Sequence, residues 1–291
     1  MDSLLERKSA GALMMISTAA LFSVMALFVR LASATIPAGM IVFTRYLLST
    51  FFILVLVWTK VIQIRPVNRG LLFMRAISAS FGGVFYFLAV SSITIPEAVI
   101  LKYTYPLFAV TIAAMIYGEK TNRSVIALLI LGIAGVVIMM NPASFHPQMG
   151  YAWGILNGIC AGGAVAFVRK LRDTDNSGTI MFFTSLAGVF VSLPFLAGGV
   201  VMPAGRGLVF MLLAGVCGIA AQFALVYGIR FIKTGSACVI MMLEVVISSV
   251  LGFLVLGHTL SAVQFIGGML ILTGGSFLII REGHTRVGAG G

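Results

Sequence analysis

The chain has 291 residues, 60% hydrophobic and only 9% charged, with a mean hydropathy of +1.12. A soluble chain carries about a quarter charged residues, so this composition excludes an ordinary water-soluble enzyme or regulatory domain. The formal net charge is +11, yet the basic residues lie in short clusters between apolar runs, which argues against a nucleic-acid partner and for a multispan membrane protein.

A helix needs about 20 apolar residues to cross the hydrocarbon core, and that rule predicts ten spans. The first, 10–30, follows Arg7 and Lys8 and runs toward Ala32-Ser33-Ala34, a pattern similar to a signal peptide but long for one. The second, 36–59, carries Arg45 nine residues in, about 14 Å deep at 1.5 Å per residue. The third, 71–92, has Arg75 about one turn from its start and Tyr86 beyond its middle. The fourth, 97–117, contains LKYTYP, with Lys102, Tyr103, Tyr105 and Pro106 inside an apolar run. The fifth is 124–141, with Gly132 and Gly135. In the sixth, 150–169, Gly150, Gly154, Gly158 and Gly162 recur every four residues, a small-residue face that lets another helix approach closely. The remaining spans are 178–198, 206–230, 235–256, which carries Glu244 and Ser248, and 261–281. Connections such as IRPVNRG and RDTDNSG are short, and no soluble domain fits outside the spans. Residues 1–9 and 282–291 are left as short terminal segments, and the final VGAGG is assigned no role.

Shifted by 139 residues, the chain falls onto itself. Phe28-Val29-Arg30 meets Phe167-Val168-Arg169, Gly39 meets Gly178, Phe51 meets Phe190, and Gly118 meets Gly257. After a two-residue slip, RGLLFM at 69–74 matches RGLVFM at 206–211. The first run thus pairs with an internal helix and belongs to the mature protein. Residues 10–141 and 150–281 therefore form two five-span repeats, and an odd span number inverts the second relative to the first. Charge agrees independently. With the N-terminus in the cytoplasm, fourteen of the nineteen Lys and Arg residues fall in or beside cytoplasmic segments, and only Arg30 and Arg206 lie at outer ends. The fold expected is an all-α polytopic membrane protein of ten transmembrane helices in two inverted repeats, both termini cytoplasmic.

These features, with the mid-helix proline and the terminal glycine-acid pair of YPLFAVTIAAMIYGEK (105–120), resemble the drug/metabolite transporter superfamily of EamA type. The resemblance covers 11–280 and implies secondary transport of a small metabolite through a cavity between the repeats, without ATP hydrolysis, in the bacterial inner membrane. Known members include amino-acid and metabolite exporters, some uptake exchangers and, more distantly, nucleotide-sugar carriers. The second repeat departs from the pattern: Val245 stands where Pro106 aligns, and His258 where Glu119 aligns. The two halves have specialised.

Ionisable residues inside spans mark the expected substrate contacts. A charge in hydrocarbon costs about 2.5–3.5 kcal/mol on insertion scales and turns toward a protein interior or cavity. Glu244, Ser248 and Gly252 share one helix face; Arg75, Ala79 and Gly83 share another, with Tyr86 beside it. Lys102 and Tyr105 are three apart, flanking Tyr103, and Pro106 is the predicted bend that frees backbone carbonyls nearby. The predicted substrate-binding set is therefore Arg45, Arg75, Tyr86, Lys102, Tyr103, Tyr105, Glu244 and Ser248, with Glu244 also carrying a coupling proton. Two plainer readings stand beside it: Arg45 and Glu244 as a mutual ion pair, and Arg75 as a snorkelling interfacial charge. Asn157, Trp153 and Gln222 read as helix-to-helix contacts.

No GxxxxGK[ST] loop supports an ATP-driven pump, and no HExxH or GxSxG supports an enzyme. The three cysteines show no metal-ligand spacing. No cofactor or metal is expected, and the partners are a small-molecule substrate and the lipid bilayer, with a homodimer also considered. Three intramembrane cations against one or two acids favour an amino-acid-like, anionic or zwitterionic solute, carried by alternating access and exported. The alternatives are an uptake exchanger for a nucleoside-like metabolite such as S-adenosylmethionine and, from another class, a channel or lipid-handling protein.

Overall fold

The computed structural model describes residues 2–117, 148–171, 174–199, 203–228 and 243–257, with isolated helical positions between 127 and 138 and between 241 and 273. Nine helices are delimited among the described residues: α1 (Asp2–Ala32), α2 (Ala38–Trp58), α3 (Arg69–Ser92), α4 (Ile95–Lys102), α5 (Tyr105–Tyr117), α6 (Met149–Leu171), α7 (Ser177–Ser192), α8 (Gly205–Gly228) and α9 (Leu243–Leu256). A 3₁₀ segment, Leu193–Gly198, follows α7. Among the described residues six helices are long and apolar enough to cross a membrane, and no strand occurs. The expected fifth span lies largely outside the described residues, and the start of the ninth, the end of the tenth, His146, His258, His284 and the 282–291 tail lie outside them.

Side chains near the helix starts explain where several helices begin. Asn68 accepts the Leu71 N–H at 3.2 Å ahead of α3, and Asn176 accepts the Thr179 N–H at 2.8 Å ahead of α7. Each such cap is worth about 1 kcal/mol. At the start of α4, Thr94 and Glu97 form a capping box, with Thr94 N–H donating to Glu97 Oε2 at 3.0 Å. Helix α2 ends in a left-handed turn at Lys60, with φ of 61°.

The surface is inverted relative to a soluble protein. Phe51, Trp58, Phe73, Phe190 and Leu254 are exposed, whereas Thr18, Ser23, Ser80, Thr179 and Ser192 are fully buried. Buried hydroxyls close onto their own helix, as Thr18 does on Met14 O and Ser80 on Ala76 O, which satisfies them without water.

Helix contacts pair off under the alignment of the two halves of the sequence. The two most extensive, α1 with α8 and α3 with α6, exchange when each helix is replaced by its aligned partner. So do α3 with α7 and α2 with α8, and α4–α5 with α6 and α9 with α1. Contacts α2 with α7 and α4 with α9 map onto themselves. The α6 glycines form the track for α4 and α5: a Cβ at Gly154 would lie 2.5 Å from Leu101 Cδ1, and one at Gly162 would lie 2.6 Å from Phe108 Cβ. Asn157 Nδ2 donates to Gly82 O at 2.6 Å, and Trp153 stacks on Phe85, so both serve helix contact as expected.

At one end, the 59–68 connection is joined to 174–179. Asp175 accepts the Val67 N–H at 2.8 Å and the Asn68 N–H at 3.1 Å. Arg65 N–H donates to Thr179 Oγ1 at 2.8 Å, and Asn176 Nδ2 to Gln63 O at 2.9 Å. Burial works against ionising Asp175, but hydrogen bonds from Val67, Thr174 and Asn68 outweigh it and hold the carboxyl below the usual carboxylate range.

Candidate functional site

The predicted fourth span is two helices. Helix α4 ends at Lys102, Tyr103 and Thr104 form a turn, and α5 restarts at Tyr105. Pro106, the predicted bend, lies in the first turn of α5, just past the break. Proline offers no N–H to the carbonyl four residues back, that of Lys102, and it disfavours helical geometry in the residue before it. The interruption therefore falls ahead of the proline. Upstream, the position of α4 is fixed by Glu97, which is buried, caps the helix through Thr94 and accepts the Tyr151 hydroxyl of α6 at 2.9 Å.

The break delivers Lys102 and Tyr103 to the face where α1, α3 and α9 meet. Lys102 Nζ lies 2.8 Å from both carboxylate oxygens of Glu244. Glu244 is fully buried, while the Lys102 side chain retains 20% exposure. The Tyr103 hydroxyl donates to Met241 O and also lies 3.1 Å from Glu244 Oε2. With one proton it serves one acceptor at a time. Ser23 Oγ is within reach of Ala19 O at 2.9 Å and Glu244 O at 3.2 Å, joining α1 to α9. Around the amine stand the rings of Phe22 at 4.7 Å, Tyr86 at 5.1 Å and Tyr103 at 5.7 Å. The Tyr86 hydroxyl is buried and has no hydrogen-bond partner among the described residues. At 1.5 Å per residue, Lys102 is about 10 Å along α4 from its start at Ile95.

Of the eight predicted residues the structure gathers four tightly: Lys102, Glu244, Tyr103 and Tyr86. Tyr105 reaches the rim, its ring tilted against Tyr103 at 6.1 Å. Ser248 is buried on the Glu244 helix but turns back to Val245 O at 3.1 Å. Arg45 does not pair with Glu244, as one plainer reading had it; Lys102 takes that place because α4 packs on α9 whereas α2 packs on α3, α7 and α8. The Arg45 guanidinium instead lies over Tyr46 at 5.1 Å and Phe87 at 5.5 Å, and a Cβ at Gly218 would come within 2.8 Å of its Nε. Arg75 is separate again. Its Nη1 donates to Thr184 Oγ1 at 3.1 Å, and its Nε is buried without a partner among the described residues.

Sequence reasoning missed Phe22, Glu97 and Tyr151. The pair Thr94 and Glu97 was visible as T-x-x-E, the capping-box spacing. Phe22 lies in a uniformly apolar helix and carries no such signal.

The sequence model of the EamA-like transporter family matches residues 9–141 and again residues 148–280. Among curated relatives, the pseudopaline exporter CntI of Pseudomonas aeruginosa is 27% identical over 92% of this chain and 95% of its own length. The S-adenosylmethionine uptake transporter of Rickettsia prowazekii is 20% identical over 72% of this chain and 71% of its own. A solved crystal structure, 19% identical, superposes with a TM-score of 0.60 over 92% of this chain and 96% of that one. That likeness speaks for the fold.

Proposed function

The chain belongs to the EamA-like transporter family, so it is a membrane transporter and not an enzyme, and on that premise we propose that it is a secondary carrier exporting a small amino-acid-like or zwitterionic metabolite. The observation that carries this reading is the Lys102–Glu244 pair. A cation and an acid face each other at 2.8 Å at a helix break deep in the bundle, and that geometry matches a solute bearing both charges.

Ten spans in two inverted five-helix repeats, with both termini on the cytoplasmic side of the inner membrane, form the frame of this proposal. It is supported by the exchange of helix contacts between repeats, by the family model matching twice, and by the clustering of basic residues. Alternating access then opens the Lys102–Glu244 region to each side in turn. Glu244 is the group through which a proton is coupled: protonation removes its charge, releases Lys102, and leaves Tyr103 to hydrogen-bond the neutral acid. Export is favoured over uptake because the exporter relative aligns over more of both chains than the uptake relative does.

The test is flux in proteoliposomes with candidate amino acids and other small zwitterions under an imposed pH gradient. Lys102→Ala and Glu244→Gln are each expected to reduce saturable flux by at least tenfold. Wild-type rates in both variants would remove this pair from the mechanism, and single-channel conductance in place of counterflow would remove the carrier reading.

A further inference from the structure

A lysine whose ammonium is met by both oxygens of one carboxylate needs nothing more for charge compensation, yet Lys102 Nζ is also ringed by Phe22, Tyr86 and Tyr103 at 4.7–5.7 Å. Aromatic faces around a carboxylate make up a receptor for an organic ammonium group. The geometry assigns this cage as a substrate-ammonium site that the chain's own Lys102 occupies in the present state, and we propose that substrate enters by exchanging its amine for the lysine.

Three observations carry the inference. Glu244 is fully buried while Lys102 is 20% exposed, so the acid is the fixed floor and the amine is the movable partner on the open side. The lysine stem is flexible and its head is a compact point charge, so it can withdraw without disturbing the helix. The Tyr86 hydroxyl, buried beside Glu244 and without a hydrogen-bond partner among the described residues, is polar capacity that an incoming polar group can take. Exchange also avoids the costly alternative, because removing one member of a buried pair strands the other charge. One ammonium leaves as another arrives, so the charged Glu244 stays paired during the exchange step itself. The displaced Lys102 is then free to meet the carboxylate of the same solute, which defines the ligand class as a zwitterion with an unhindered amine. The physiological meaning of the cage rests on the transport reading above, but its chemistry can be tested without transport.

Purified Lys102→Ala, wild type and the double variant Lys102→Ala/Glu244→Gln are melted in ethylammonium chloride and in sodium chloride of equal concentration. Ethylammonium refills the volume left by the lysine end. The expected result is a saturable rise in the Lys102→Ala midpoint, about 5 °C at roughly 100 times the dissociation constant, with a smaller rise in wild type and none in the double variant. Should Lys102→Ala require help to fold, ethylammonium during purification is expected to raise the monodisperse fraction where sodium does not. Equal responses in both salts, equal responses in all three proteins, or no recovery in either salt would overturn the cage. If the cage fails while both single variants still lose flux, the Lys102–Glu244 transport pair stands without it. Ammonium binding with unchanged flux would sink the transport role instead.

Discussion

Where the 59–68 connection meets residues 174–179, the bundle is joined by hydrogen bonds: Asp175 to two backbone N–H groups, Thr179 to Arg65, and Asn176 to Gln63. At the opposite end the elements meet by close approach. A Cβ on Gly39 would lie 2.7 Å from the Phe195 carbonyl carbon and 2.9 Å from its Cβ, and one on Gly207 would lie 2.5 Å from Thr35 Oγ1. The first closure is polar, lies in connections that border water, and can be exchanged for water bonds when the elements part. The second depends on a missing side chain and tolerates no substitute. If the first end is cytoplasmic, as proposed, the inner closure adds polar bonds to the contact of Ile62 with Gly178, and the outer one rests on shape. An exporter needs both to open, and the two should respond to different perturbations.

The largest expected effect comes from filling the shape-dependent end. Gly39→Ala places a carbon against the backbone of Phe195, which cannot rotate away, so α2 must shift from the 3₁₀ segment. Overpacking of this kind costs about 1–3 kcal/mol. Denaturant unfolding in detergent measures it, and an unchanged midpoint would mean that this contact is not the tight one.

The polar end should respond less and in a different variable. Asp175→Ala leaves the Val67 and Asn68 N–H groups without their acceptor, at about 1–2 kcal/mol given that water can partly replace it. Asp175→Asn retains an oxygen and should cost about 1 kcal/mol. The carboxyl is held below its ordinary range, so its stabilisation is complete above the unfolded-state value near pH 4 and disappears as the pH falls through the lower folded-state value. Wild type and Asp175→Asn should therefore melt apart at pH 7 and converge in strong acid. Gly39→Ala should show no such convergence. A constant gap for Asp175→Asn down to pH 2 would remove the electrostatic account of this end.

The all-helical membrane character was legible because bilayer physics writes it in long, simple signals, the apolar runs, and the α6 packing face in a glycine every fourth residue from Gly150 to Gly162. The halves of the site were legible for a related reason, since Lys102 and Glu244 are costly in a span and had to be explained. Their pairing was not legible. Depth along a helix is readable from residue count, but which helices face one another across the bundle depends on crossing contacts between segments 142 positions apart. Arg45 was as plausible a partner by depth and was excluded only by α2 packing away from α9. Pro106 indicated a bend, while the exact interruption at Tyr103 and Thr104 depended on how α4 is pinned at Glu97. Phe22 stayed hidden because an aromatic ring in an apolar helix looks the same whether it faces lipid or a cation.

The smallest effect separates the polar end from the turn that presents it. Lys60 adopts φ of 61° as α2 ends, and the turn lets Val61 N–H and Ile62 N–H both donate to Leu56 O, at 3.0 and 3.2 Å. Ile62 is thereby set against Gly178, at the start of α7. A left-handed conformation costs a residue with a Cβ about 1–2 kcal/mol, whereas glycine adds about 0.4–1 kcal/mol of unfolded-state entropy. Lys60→Gly should therefore stabilise slightly, by about 0.5 kcal/mol, read as a small rise in midpoint. Combined with Asp175→Ala, the two changes should add to within about 0.5 kcal/mol, because the turn and the carboxylate act on different bonds. Strong non-additivity would instead make the turn part of the closure, and the inner end would then depend on shape as the outer one does.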